Sequence, residues 1–135
     1  MRVLVDTSVW SLALRKKGPA DHPSIRALSS LLLAGEDVFL VGVVLQEVLQ
    51  AFRSERPFQT IAMHLEPFAL LPLERSDFVA AARLHRRCAA KGLTTSTVDC
   101  QIATAAIRHN CRLLSADDDF KRIAQVSDLK LFDLK

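Results

Sequence analysis

The run RVLV at residues 2–5 constrains the fold more than any other stretch of the chain. It is short, β-prone and almost wholly apolar, so it has no wet face to offer. A strand of that kind is buried on both sides, as in a parallel sheet covered by helices above and below. A second buried strand is expected at DVFLVG, residues 37–42, and a fourth at RLLS, 112–115. ALLPL at 69–73 reads as a third, at a sheet edge because Pro72 cannot donate a ladder bond. LKLFDL at 129–134 reads as a terminal strand.

Helical patterns fill the intervals. Ile25, Leu28, Leu31 and Leu32 are spaced for a helix over 22–35, which Gly35 stops. Further helices are expected over 43–54, from Pro57 to about 66, from a Ser76 cap to Gly92, over 97–110 and over 118–126. Strands alternating with helices place the chain in the α/β class, as a three-layer α/β/α sandwich around a central parallel sheet. No internal repeat or low-complexity linker divides residues 1–135, which read as a single domain.

Composition narrows the function classes. Half of the residues are hydrophobic, enough for a core and too many for a disordered chain. No apolar run reaches the roughly 18 residues of a membrane span. MRVLVDTSVW lacks a signal-peptide pattern, so the expected location is cytoplasmic with no membrane contact. Cys88, Cys100 and Cys111 are an odd set without a CxxC pair, and they read as reduced, buried thiols. The four histidines form no HExxH motif, which removes the usual zinc hydrolase signature.

The acids carry the chemistry. LLSADDDF at 113–120 gathers three aspartates at the end of a buried strand. In parallel sheets ligands bind beyond the carboxyl ends of the strands. Asp6 ends the first strand and Asp117 lies just past the fourth. On the helix STVDCQIATAAIRH, 96–109, Gln101, Thr104 and Arg108 mark a wet side, and Asp99 points the opposite way with Ile102, Ala103 and Ala106. Either Ser96 and Asp99 form a capping box, or Asp99 ligates a metal. Glu47 edges a stripe of Val44, Val48 and Ala51, as a solvated side chain or as a ligand. Asp6 can cap the turn DTSVW, and Asp117 can cap the last helix, whose dipole favours Asp118 and Asp119.

Taken together, the acids outrun these local explanations. Two like charges 4 Å apart repel by about 4 kcal/mol at an effective dielectric of 20. Acids from four segments meeting at one sheet edge therefore require a divalent cation. An all-oxygen donor set selects Mg²⁺ or Mn²⁺. Two such ions roughly 4 Å apart activate a water and stabilise the departing oxygen of a phosphodiester. Asp118, between two ligands, is expected to face solvent. The chain carries +3, and without Asp6, Glu47, Asp99, Asp117 and Asp119 the remainder is +8. A basic body around one acidic spot suits a polyanionic substrate, although ordinary solvated lysines and arginines give the same count.

VLVDTSVW, a glutamate early in the helix after strand two, TTSTVDCQIATAA and LLSADDDF, in that order, resemble the PIN-domain ribonucleases, and among them the VapC toxins of VapBC toxin–antitoxin pairs. The likeness spans essentially the whole chain. It implies a sheet of order 3-2-1-4-5 and Mg²⁺-dependent endoribonuclease activity. The acidic site it implies falls on Asp6, Glu47, Asp99 and Asp117, with Asp119 as a further member. Thr7 or Ser8, and Ser96 or Thr97, match hydroxyls that orient ligands or water. It also implies an RNA substrate, a VapB-like antitoxin that inhibits the toxin, and assembly as a homodimer or a toxin–antitoxin hetero-oligomer. Arg15, Lys16, Arg53, Arg56, Arg86, Arg87 and Lys121 are candidates to steer RNA.

Other readings stay open at this point. A housekeeping RNA-processing PIN nuclease would carry the same acids. A phospho-acceptor module on a similar sheet needs an acid pair after strand one, where Thr7 follows Asp6. A non-catalytic α/β binding module would not need the acids. Trp10 reads as core rather than as a base-stacking platform.

Overall fold

The computed structural model describes residues 1–14 and 21–134, so the candidates Arg15 and Lys16 lie outside the described residues. Its sheet has the order β3-β2-β1-β4 and is parallel throughout, built from β1 (Arg2–Val5), β2 (Asp37–Leu40), β3 (Ala69–Leu70) and β4 (Arg112–Leu114). The apolar RVLV run is the reason β1 sits at the centre. Val3, Leu4 and Val5 have no exposed surface, and Leu113 and Leu114 beside them have none either. Burying each such side chain is worth roughly 1.5–3 kcal/mol. An exposed RVLV edge would forfeit that on one side.

The helices are α1 (Thr7–Ala13), α2 (Pro23–Leu33), α3 (Gly42–Gln50), α4 (Glu55–Leu65), α5 (Arg75–Ala90), α6 (Thr97–Arg108) and α7 (Asp119–Gln125). From β1 to β2 to β3 the chain steps one way across the sheet, and it returns over β1 to reach β4. Right-handed crossovers in opposite directions place the first helices on one face and α5 and α6 on the other. Contacts agree, with α1 against α2 and α3, and α5 packed on α6, which lies on β4. The result is the α/β sandwich expected, with Trp10 buried in the core edge-on to Phe68 at 5.2 Å between ring centroids.

Several expectations are corrected. Strand five is a single parallel bridge, Leu113 to Leu131, so the 3-2-1-4-5 order survives only as a four-stranded sheet with one rung beyond it. β3 keeps two residues, because Leu71 turns inward to be buried and Pro72 follows. Helix α5 starts earlier than Ser76. Its cap is Glu74, in a capping box with Asp77, which is buried and held by Arg108 at 3.0 Å. Thr104 is buried, not wet, because α6 is sandwiched between the sheet and α5. DTSVW, residues 6–10, expected as a turn capped by Asp6, instead opens α1, with Asp6 as the helix cap. The glycine stops are as expected: Gly35 and Gly92 end α2 and α5 at φ +71 and +79.

Candidate metal centre

Each acid reaches the strand ends by a different local device. Asp6 leaves β1 and caps α1, its Oδ1 accepting from the Val9 N–H at 3.4 Å. Burial is nearly complete, at 3 % exposure. Two hydroxyls compensate it: Ser8 donates to Oδ1 at 2.6 Å and Ser115 to Oδ2 at 2.8 Å. Burial pushes the Asp6 carboxyl above the ordinary range, the Ser8, Ser115 and Val9 hydrogen bonds oppose that shift, and the charge of Asp117 adds to it. Ser115 was not anticipated as a site residue. It lies in LLSADDDF, but only the pairing of β1 with β4 brings it against Asp6.

Asp117 stands on the turn between β4 and α7, and Asp119 is the first residue of α7. The Asp117 N–H donates to Ser115 Oγ at 2.9 Å, and the Asp119 N–H to Asp117 Oδ1 at 2.9 Å. This second bond folds the DDD run so that its first and third acids share a side. Asp118, between them, is the cap residue of α7, but its side chain makes no capping bond and points to solvent, where it meets Lys121 at 3.0 Å. Asp119 pairs with Arg122.

Asp99 occupies the first turn of α6. Ser96 Oγ accepts the Asp99 N–H at 3.0 Å. The reciprocal bond of a capping box, from the Ser96 N–H to the Asp99 carboxylate, is absent among the described residues. The half-buried carboxylate instead joins the others: single oxygens of Asp99, Asp117 and Asp119 all lie within 4.8 Å of one another. Burial raises the Asp99 carboxyl above its usual range, the Ser96 side chain pulls it back, and the negative fields of Asp117, Asp119 and Glu47 raise it further. Glu47 stands at the rim, half-buried, with its Oε1 accepting from Thr7 Oγ1 at 2.6 Å.

Three of the five acids meet directly, and the other two reach them only through intermediaries or by their charge. Asp99, Asp117 and Asp119 form the close trio, Asp6 lies beneath it through Ser115, and Glu47 borders it. Of the four hydroxyl candidates, Thr7, Ser8 and Ser96 bond the acids or their backbone, while Thr97 turns away toward α5. The donor set fits a hard divalent cation, being all carboxylate oxygen, partly desolvated and mutually repelling.

Known proteins resemble this chain in sequence and fold. Ribonuclease VapC11 of Mycobacterium tuberculosis is 29% identical over 133 residues, 95% of this chain and 96% of the relative. A solved VapBC2 from Rickettsia felis, bound to a DNA fragment from its promoter, superposes with a TM-score of 0.78 at 19% identity, covering 100% of both chains. FitAcB from Neisseria gonorrhoeae superposes with a TM-score of 0.75 at 22% identity, over 97% of this chain and 96% of that one. These structural likenesses establish the fold. The PIN domain family model matches residues 3–126, and the chain belongs to the PIN-domain family.

Proposed function

We propose that this chain is a Mg²⁺-dependent endoribonuclease, the toxin of a VapBC-type pair, which hydrolyses RNA phosphodiester bonds. The meeting of Asp99, Asp117 and Asp119 oxygens within 4.8 Å carries the reading. Membership of the PIN-domain family and likeness to a VapC ribonuclease support it. Asp99, Asp117 and Asp119 would hold the cation, with Asp6 and Glu47 completing the negative field. A divalent cation held there would supply neutralisation of the carboxylates, activation of water and stabilisation of charge on the departing oxygen. Asp6 holds Ser115, and Ser115 holds the backbone of Asp117, so the buried carboxylate sets the position of the exposed one. Thr7 fixes Glu47 by Oε1 and leaves Oε2 to orient the attacking water or take its proton.

The likeness to VapBC and FitAB assemblies supports an antitoxin partner of VapB type and assembly as a homodimer or hetero-oligomer. A cytoplasmic location follows from that reading, and no described helix is long and apolar enough to cross a membrane. The test is cleavage of single-stranded RNA in magnesium by wild type, Asp6→Ala and Asp117→Ala, each checked by far-UV circular dichroism. Cleavage by wild type alone, abolished by EDTA, is expected. Full cleavage by a folded Asp117→Ala overturns the assignment. Growth arrest on expression, relieved by the product of an adjacent small gene, separates the toxin from a housekeeping nuclease.

A further inference from the structure

A groove of about 460 Å³ lies between α5 and α6. Phe78, His85 and Arg86 line it from α5, and Thr97 and Gln101 from α6. Phe78 is 49% exposed, an unusual position for an aromatic ring on a helix surface. Ala82 sits between the ring and the cation, one turn from each, and leaves the floor open. Among the described residues no carboxylate lines this groove, whereas the grooves beside Asp117 and Asp118, beside Asp77 and Asp128, and beside Glu36 and Asp133 all contain acids. Neither His85 nor Arg86 makes an ion pair among the described residues.

The placement connects the groove to the acids. Thr97 and Gln101 are on the same first turns of α6 that present Asp99, on the opposite side of the helix. A strand crossing the N-terminus of α6 would travel about one helix diameter, ~10 Å, from the carboxylate trio to the groove. It would cross the positive end of the helix dipole, which favours a phosphate. An aromatic face, a guanidinium and an amide without acids are the elements that bind single-stranded nucleic acid, where bases stack and phosphates are neutralised.

We propose that this groove is the subsite for a nucleotide flanking the scissile phosphate of single-stranded RNA, with Phe78 as the stacking platform, Arg86 as the phosphate anchor and Gln101 facing the base edge. The inference rests on the ribonuclease reading. It gives the enzyme a preference set by a base that is not itself at the cleaved bond.

The test uses the full chain and a fluorescein-labelled, mixed-sequence single-stranded RNA. Anisotropy in EDTA reads binding without cleavage, and kinetics in magnesium separate KM from kcat. Phe78→Leu should weaken binding by about 5- to 150-fold, the range spanned by one base–aromatic stack. Arg86→Gln should reduce the slope of log affinity against log salt by about 0.7. Ala82→Glu, at an exposed helical position, should weaken binding by placing a carboxylate in the groove. In magnesium all three should raise KM and keep kcat, with melting temperatures near wild type. If wild type cleaves RNA and the three variants match it in affinity and salt slope, the subsite is wrong and the nuclease reading stands. If wild type neither binds nor cleaves RNA, both fail. If the variants alter only self-association by sedimentation while RNA binding is intact, the face is an interface between copies and the proposal is overturned.

Discussion

Ser115 joins Asp6 to Asp117: its hydroxyl donates to Asp6 Oδ2 at 2.8 Å and accepts the Asp117 N–H at 2.9 Å. One oxygen thus satisfies a buried carboxylate and shapes the turn that carries an exposed one. Ser115→Ala leaves the buried Asp6 oxygen short of a donor. It should cost about 1–3 kcal/mol of stability and weaken magnesium binding through the loosened Asp117. Urea denaturation and magnesium-dependent melting check the two effects separately. Unchanged values in both would show that the hydroxyl couples nothing.

Asp99→Ala discriminates a cap from a ligand by sign. A capping role predicts a loss of roughly 0.5–2 kcal/mol, with or without magnesium. Because only the Ser96 half of the box is made, the expected outcome is the other one. Removing one of several repelling charges should leave the metal-free protein as stable or more stable. The rise in melting temperature with magnesium, which reports binding to the native state, should shrink. A destabilised variant with the full magnesium response would return Asp99 to a cap.

The pH dependence of the metal-free protein follows from Asp6 and Asp99, whose carboxyls burial raises above their usual values. A raised acid favours its neutral form in the folded state. Its stabilising contribution is complete below the unfolded value and is lost as pH rises through the folded one. In EDTA, the stability of wild type relative to Asp99→Asn should therefore increase as pH falls from 7 toward 4. Saturating magnesium, which favours the ionised carboxylates, should flatten or reverse that trend. Parallel curves for the two proteins in EDTA would contradict the stated burial of Asp99.

Asp77 provides a contrast on the far side of α6. It is buried, closes the α5 capping box with a 2.7 Å bond from the Glu74 N–H, and meets Arg108 at 3.0 Å. Asp77→Ala should destabilise by roughly 1–3 kcal/mol and leave the magnesium-induced shift in melting temperature intact. A lost magnesium response would mean that this network supports the metal centre.

What was legible followed from unambiguous local signals. RVLV could only be an interior strand, Gly35 and Gly92 could only end helices at positive φ, and Asp99 on the buried side of its helix demanded a compensating partner. What was not legible depended on tertiary neighbours. DTSVW is rich in β-branched and hydroxyl residues and reads as a turn, but Asp6 caps a helix there and the buried Trp10 anchors it. Ser76 is the better cap by propensity, yet the bond from Arg108 to Asp77 makes Glu74 the boundary. Thr104 looked wet because the packing of α5 over α6 has no signature within α6 itself. Ser115 could not be assigned before β1 and β4 were paired.

That pairing also has a temporal side. The hydroxyl that supports Asp6 lies 109 residues later in the chain. At a synthesis rate of about 5–20 residues per second, roughly 5–20 s separate the emergence of the two. Until then β1 has one open edge and the acidic site has no floor. A newborn chain on the ribosome, surrounded by RNA, should therefore be inert for most of its own translation, and chains stalled before residue 112 should show no nuclease activity when assayed in place.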